Sequence, residues 1–514
     1  MKLDQPATAP PLASLRARLH VGSHSPWLPA ALGAAVLVLV FAVALVAPAS
    51  VRGPAVVGAA SLALVLAYLP WPKPTLLVFA LFVLFYHTLA GWLTPDLRHI
   101  DEIVVPILFV AAAARTRPWR RGLIEPLREG ALLVMFVAGV GSSVVNGVSG
   151  SVWPLGLLLL LKIFAFLYIV LWHDFDAADV RQLYPLVLGI GVVVLALAAV
   201  EAIDPVTFRQ TLNLSDISVP REGLPSVKSL FYHPMLFAWF AAFVGLYLLA
   251  GYVTMRRWWL LVGAALFSVG TILAGRRRAI AGVATALVAG AAVYARNARS
   301  WRATARAWWP VAAGAVLVAL VFLPSLIGLA GITFDPATAL DAGSPDARTA
   351  LYRTSVLIAR DDFPLGAGLG RFGSGVSRDP YSPVYAKYGL DQIDGLSPQH
   401  SSFVTDTFWP RILGETGVIG LAALIVFTLV LTVEVWRAAR AEHSDALTKA
   451  FLLGTWMVLV QALVETLASS LFDSPPRIYL LFGAVAVALS IARQKAPRKP
   501  QKVPAPDTGR YSSG

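Results

Sequence analysis

The chain has 514 residues, 57% of them hydrophobic and only 14% charged, with 42 Lys and Arg against 29 Asp and Glu and a formal net charge of +13. Soluble domains carry roughly 25% charged residues, so composition and a mean hydropathy of +0.69 exclude an ordinary soluble fold. The absence of cysteine excludes disulfides, thiolate nucleophiles and cysteine metal ligands. The basic residues sit in short segments between apolar runs, a pattern of membrane orientation rather than of nucleic-acid binding.

Residues 1–26 form a Pro/Ala-rich polar tail, without the charged start, short apolar core and small-residue cleavage site of a cleaved signal peptide. Apolar runs of about 17–22 residues then recur, the length a helix needs to cross about 30 Å of hydrocarbon. They fall near 27–47, 53–70, 74–93, 100–115, 131–147, 152–172, 183–202, 229–250, 258–275, 279–295, 309–330, 415–436, 447–468 and 476–492. The run at 100–115 opens on Asp101 and Glu102, so the expectation is an all-α integral membrane protein with about 12–14 transmembrane helices.

The Lys/Arg bias orients this series. With the N-terminus cytoplasmic, the inner segments collect Arg16 and Arg18; Lys73; Arg115, Arg117, Arg120, Arg121 and Arg128; Arg181; Arg256 and Arg257; Arg296, Arg299, Arg302 and Arg306; Arg437 and Arg440; and the basic tail. The connections 48–52, 94–99, 146–151 and 469–475 are nearly free of positive charge. This divides the chain into a cytoplasmic tail (1–26), an N-terminal transmembrane bundle (27–330), one large, partly helical extracytoplasmic loop (331–414), C-terminal transmembrane helices (415–493) and a disordered Pro/Lys-rich cytoplasmic tail (494–514).

Two outer segments break the bias. One is the loop 203–228 with Arg209, Arg221 and Lys228. The other is "ILAGRRRAIAG" (272–282), where Arg276, Arg277 and Arg278 stand in a tight turn between two spans. Charge kept at membrane depth on the disfavoured side is costly and by default marks a functional site. The competing reading is a miscounted span, with the triplet as an inner anchor, but moving it inside would expel Arg256–Arg257 or the Arg296–Arg306 cluster.

In the large loop, "DARTALYRTSVLIARDDFPLGAGLGRFG" (346–373) reads as an amphipathic helix followed by a glycine-rich turn. Gly366, Gly368 and Gly370 lack the preceding strand of a nucleotide-binding unit. They read as a tight turn where backbone approaches another segment. His400, the loop's sole histidine, is a candidate general base, with a solvated loop histidine as the alternative. Asp406 and Glu415 are the other candidate bases, Glu415 having a helix-capping alternative. His233, just before Pro234, either orients the neighbouring loop or packs against aromatics. Tyr381, Tyr385 and Tyr388 either stack on sugar rings or, the favoured reading, form an interfacial belt.

Several of these stretches resemble one known family. "ARTALYRTSVLIARDDFPLGAGLGRFG" is similar to its arginine-to-glycine-turn signature, and "DTFWPRILGETGVIGL" (406–421) to its signature leading into a span. "AGRRRA" (274–279) resembles its Ser-Arg element and "REGLPSVKSLFYHPMLFAW" its Arg/His-Pro element. The family is that of the O-antigen ligases and O-antigen polymerases, and the resemblance covers roughly 220–425. It implies a membrane glycosyltransferase that moves a glycan from undecaprenyl diphosphate to an acceptor hydroxyl at the outer face of the bacterial plasma (inner) membrane. The acceptor is a glycan or lipid, and no metal ion or cofactor takes part.

The same resemblance implies that arginines hold the diphosphate (here Arg221, Arg276, Arg277 and Arg278, with Arg277 favoured) and that a loop residue acts on the acceptor hydroxyl. His400, Asp406 and Glu415 are the catalytic candidates; ligases commonly carry His-Asn where this chain has Asp406-Thr407, which leans towards a polymerase or another ligation pathway rather than a lipopolysaccharide ligase proper. Arg348, Arg353, Gly368, Gly370 and His233 complete the substrate-binding set for the loop and glycan. A polytopic transporter or lipid-linked-glycan flippase is the competing class, but no clear internal repeat accompanies it.

Overall fold

The computed structural model describes residues 28–495, apart from 49, 120–124, 215–223, 298–299 and 322–346. Among the described residues there is no strand; beside short helices at Pro205–Thr211, Gly375–Arg378 and Pro383–Lys387, fifteen long helices build the architecture. They are α1 (Leu28–Val46), α2 (Arg52–Tyr68), α3 (Pro72–Trp92), α4 (Ile100–Thr116), α5 (Pro126–Val145), α6 (Trp153–Leu171), α7 (Ala177–Ile203), α8 (Pro234–Met255), α9 (Trp258–Leu273), α10 (Arg277–Asn297), α11 (Trp301–Val321), α12 (Ala347–Asp361), α13 (Trp409–Arg440), α14 (Ala446–Thr466) and α15 (Pro475–Lys495). Nine of these are long and apolar enough to cross a membrane, and α1, α2 and α9 contain shorter apolar helices. The chain is an all-α integral membrane protein, and all of these helices except α12 follow the apolar runs of the sequence.

The helix boundaries have local causes. Proline occupies the first or second position of α3, α5, α6, α8 and α13, where its fixed φ suits the first turn and its missing N–H costs nothing. Asp176 caps α7 and Asp445 caps α14 through side-chain oxygens that accept first-turn N–H groups. Helix α8 is apolar all round and buried along almost its whole length, so it forms the centre against which α9 and α14 pack. Helix α7 is the opposite case, with only 22% of its apolar window buried.

Buried ion pairs staple the bundle. Lys162 Nζ on α6 lies 2.8 Å from Asp101 and 3.3 Å from Glu102 on α4, and Tyr479 on α15 donates to Asp101. Arg128 on α5 bridges Glu129 and, across the bundle, Glu434 of α13. One of the two anomalous loops is explained in the same way. Glu201 at the end of α7 pairs with Arg209 at 2.8 Å and accepts the backbone N–H groups of Lys228 and Ser229. Arg209 therefore ties the loop down; Arg221 lies outside the described residues.

Segments that the charge bias puts on one side gather at one end. Asn146 contacts Gly366, Tyr352 contacts Leu467, Arg278 contacts Ala468, and Arg411 contacts Asp473. At the other end Lys73 meets Asp174 and Asp179, Arg115 meets Leu69, and Gln494 meets Phe175.

Helix α13 begins at Trp409, ahead of the boundary expected at Glu415, because Arg411 and Glu415 neutralise each other inside it. It kinks at Gly417 (φ 66°, ψ −164°), where a Cβ would come within 2.2 Å of the Pro364 carbonyl oxygen. The kink frees the carbonyls of Gly414 and Glu415, which accept from Ala367 and Gly368. The glycine-rich turn is therefore backbone-bonded to the membrane helix, the close approach its composition suggests.

Candidate active site

The site is assembled from the register of α10. Arg278, Gly282, Ala286 and Gly290 recur every fourth residue and form one stripe against α14. A Cβ on Gly282 would lie 2.9 Å from Gln461 atoms, and one on Gly290 would lie 2.8 Å from the Met457 sulfur. Small residues of this kind let two membrane helices approach closely. Arg278 heads the stripe, so it is delivered to the top of α14, where it donates to the Ala468 carbonyl. The sequence favours Arg277; of the three arginines, Arg278 is the one that shares the face of the glycines.

Around Arg278 stand Arg348, Arg477, Glu465 and Asp406 as its electrostatic neighbours. Arg348 on α12 places Nη2 at 2.6 Å and Nε at 3.1 Å from Asp406 Oδ2. Arg477 at the start of α15 pairs with Glu465 of α14 at 3.2 Å, and both side chains are buried. Gln461 fixes the second Glu465 oxygen at 2.8 Å. Helix α12 is held over this end by Tyr352, whose hydroxyl donates to the Leu467 carbonyl at 2.7 Å.

A second buried pair supports the loop from below. Arg411 lies 3.2 Å from Glu415 and 2.5 Å from Asp473. Glu415 also accepts the N–H of Gly370 at 2.9 Å and of Phe372 at 3.4 Å. Both Glu415 oxygens are engaged and the residue is buried, so its geometry is that of a group holding the glycine turn. Gly368 (φ 98°) is wedged against Ser143 and Val148, and Gly370 against Val152; no space remains there for a sugar.

The loop has its own core, in which Leu351, Ile358, Phe372, Tyr385, Leu390 and Leu396 pack together. Tyr385 is fully buried, its hydroxyl bonded by Gly373 N–H and Ser377, and Tyr381 donates to the Leu396 carbonyl. Burial pushes the Tyr385 phenol up and the Tyr381 phenol up to about 12, so both stay protonated. Tyr388 bonds Asp361 at 2.9 Å. The expected aromatic belt is thus corrected: at Tyr381 and Tyr385 these rings build the loop.

His400 is exposed, with Nδ1 2.7 Å from Asp394 and Nε2 2.9 Å from the Ser402 hydroxyl. Its two ring nitrogens are engaged within its own loop segment. His233 caps α8, its Nδ1 accepting the Met235 N–H at 3.1 Å. Arg353 is exposed on α12.

Arg477, Glu465, Gln461, Arg411 and Asp473 are absent from the sequence reading. A signal for three of them was present: Gln461 and Glu465, four residues apart in an apolar helix, and Arg477 just inside the next one are polar groups at membrane depth.

Directly beneath the arginine turn, α8, α9, α10 and α11 line an apolar cavity of about 250 Å³, with Leu246, Ala264, Thr271, Ile272, Ile280 and Val283 in its wall. Residues 262–425 of the chain match the family model described as O-antigen ligase. That stretch contains the arginine turn, the loop and Glu415, and stops short of Glu465 and Arg477. No curated protein matches the chain.

Proposed function

We propose that this chain, which belongs to the O-antigen ligase/polymerase family through its domain at residues 262–425, takes a glycan from an undecaprenyl-diphosphate-linked donor and joins it to an acceptor hydroxyl at the outer face of the bacterial plasma membrane. The general role, glycan transfer by a multi-pass membrane protein, follows from the family and the helices. The donor, the sidedness and the residue roles are our reading.

The observation that carries it is the seat of Arg278, delivered by a small-residue stripe into a group containing Arg348 and Arg477 at the loop end of the bundle. A diphosphate leaving group gains negative charge as the glycosyl bond breaks. Guanidiniums are permanent, planar donors matched to it, and beside hydrocarbon their effect exceeds that in water. The apolar cavity below the turn suits the lipid tail. Arg276 and Arg277 in the same turn, and Arg221 on the neighbouring loop, are assigned to the same headgroup, and Arg353 to the glycan.

Asp406 is assigned as the base for the acceptor hydroxyl, since it is half-buried beside Arg348 and close to Arg278 and Arg477. His400, bonded to Asp394 and Ser402, is assigned to loop structure. Glu415, Gly368, Gly370 and His233 position the backbone around the site.

The test is a purified, full-length protein in proteoliposomes supplied with a diphosphate-linked glycan lipid and an acceptor. Release of the lipid diphosphate with a lengthened or ligated glycan is expected. Movement of intact donor across the bilayer without product would establish the transporter class instead. A single cysteine at Gln399, in a chain that otherwise has none, reports sidedness and is expected to label from outside.

A further inference from the structure

We infer that Arg348 and Asp406 form a latch that the incoming diphosphate opens: the anion takes the arginine, and the carboxylate so released becomes the base. This rests on the reading above.

Three ion pairs at this end of the bundle differ in access. Arg477 and Glu465 are each about 1% exposed, and Arg411 and Glu415 1% and 0%, whereas Arg348 and Asp406 are 35% and 29% exposed. The first two cannot exchange partners without burying an uncompensated charge, a change that costs about 3–5 kcal/mol. The third can, because water reaches both groups. Nε and Nη2 of Arg348 converge on a single oxygen, Oδ2, rather than spanning both carboxylate oxygens in a fork.

Charge points the same way. Arg278, Arg348 and Arg477 are neighbours and share two carboxylates, Asp406 and Glu465. Arg278 spends its hydrogen bond on a backbone carbonyl. A diphosphate arriving at Arg278 brings at least two negative charges next to Asp406, and that repulsion falls on the exposed carboxylate. Arg348 then pairs with a phosphate oxygen, and Asp406 Oδ2 is left open to the acceptor hydroxyl.

The step that follows is balanced. Asp406 Oδ2 accepts the proton of the acceptor hydroxyl, whose oxygen forms the new bond to the anomeric carbon. The bond from that carbon to the diphosphate oxygen breaks, and its electron pair leaves on the diphosphate held by Arg278 and Arg348. After the diphosphate departs, Asp406 gives its proton to water and pairs again with Arg348. With no donor bound the base is capped, so an acceptor hydroxyl meets an active base only once a donor is in place.

The sign of one measurement isolates the latch. Inorganic pyrophosphate binding to the detergent-purified full chain is compared for wild type, Asp406→Asn, Arg348→Lys and Arg348→Gln, with turnover of the lipid-linked donor measured in parallel. Removing the competing carboxylate in Asp406→Asn is expected to tighten pyrophosphate binding by about tenfold while turnover falls by about 10²–10⁴-fold. Arg348→Gln is expected to weaken binding, and Arg348→Lys to stay between the two. Unchanged or weaker binding in Asp406→Asn overturns the latch, as does turnover near wild type in that variant. If Asp406→Asn fails to fold, Asp406→Ser carries the same comparison. Failure of the wild type to bind pyrophosphate or to turn over donor sinks the transferase reading itself, a result distinct from any of these.

Discussion

Around Lys162 one ammonium faces two carboxylates, Asp101 and Glu102; Arg128 likewise faces Glu129 and Glu434. In the Arg278 group at the loop end the ratio reverses, with the guanidiniums of Arg278, Arg348 and Arg477 sharing Asp406 and Glu465. Both regions put charge where charge is expensive. In the first, acid matches or exceeds base, and the group is closed; its work is to hold α4 to α6 or α5 to α13. In the second, base exceeds acid, and a surplus of positive charge remains. A buried cation is informative through the balance of its neighbours rather than through its burial.

The largest expected effect tests the open group. Arg278→Ala should lower transfer by about 10²–10³-fold, the loss on removing one donor from a developing anion, while expression and thermal unfolding in detergent stay near wild type. Unfolding together with loss of activity would make Arg278 another staple and erase the contrast. The closed group should respond in the opposite manner. Lys162→Met leaves Asp101 buried without its cation and should cost about 3–5 kcal/mol, read as a lower unfolding temperature and poor yield. Glu415→Gln should also act through stability, exposing the 364–373 turn to protease in limited digestion, because Arg411 loses a buried partner.

Gly282→Val is a smaller displacement. The added side chain collides with Gln461 and should lift Arg278 from its seat, lowering turnover by about 10²-fold with fold retained, since about 1 Å of misplacement has that effect. The smallest effect belongs to His400→Gln, which should change transfer by less than about threefold, within the reach of an exposed loop contact. A drop near that expected of a general base, about 10²-fold or more, would move the base from Asp406 to His400 and remove Asp406 from the latch.

Much of this architecture was legible in the residues. The apolar runs mark out the helices, and the three arginines in a turn single out a candidate site. What was not legible depends on pairing at a distance. Arg278 meets Ala468 across 190 positions of chain, and Arg411 meets Asp473 across 62. Local pattern does not reveal such partners. Motif spacing leaves the register among Arg276, Arg277 and Arg278 open by one residue. The stripe of Gly282, Ala286 and Gly290, which stands in the sequence, shares its face with Arg278. The start of α13 at Trp409 was hidden because Arg411 and Glu415, read singly, look too polar for a membrane helix, whereas read as a pair they are neutral.

The hydrogen bonds from Ala367 and Gly368 to the carbonyls freed at Gly417 have a consequence for exchange between relatives. The loop is not a cassette bounded by the water line. Its C-terminal anchor is a distortion inside a transmembrane helix, so a chimera cut at the membrane surface severs the loop from its own fastening. The transplantable module runs from Ala347 through Gly417. Any recombination that keeps the loop on its own anchor should cross over within the straight part of α13, beyond that glycine.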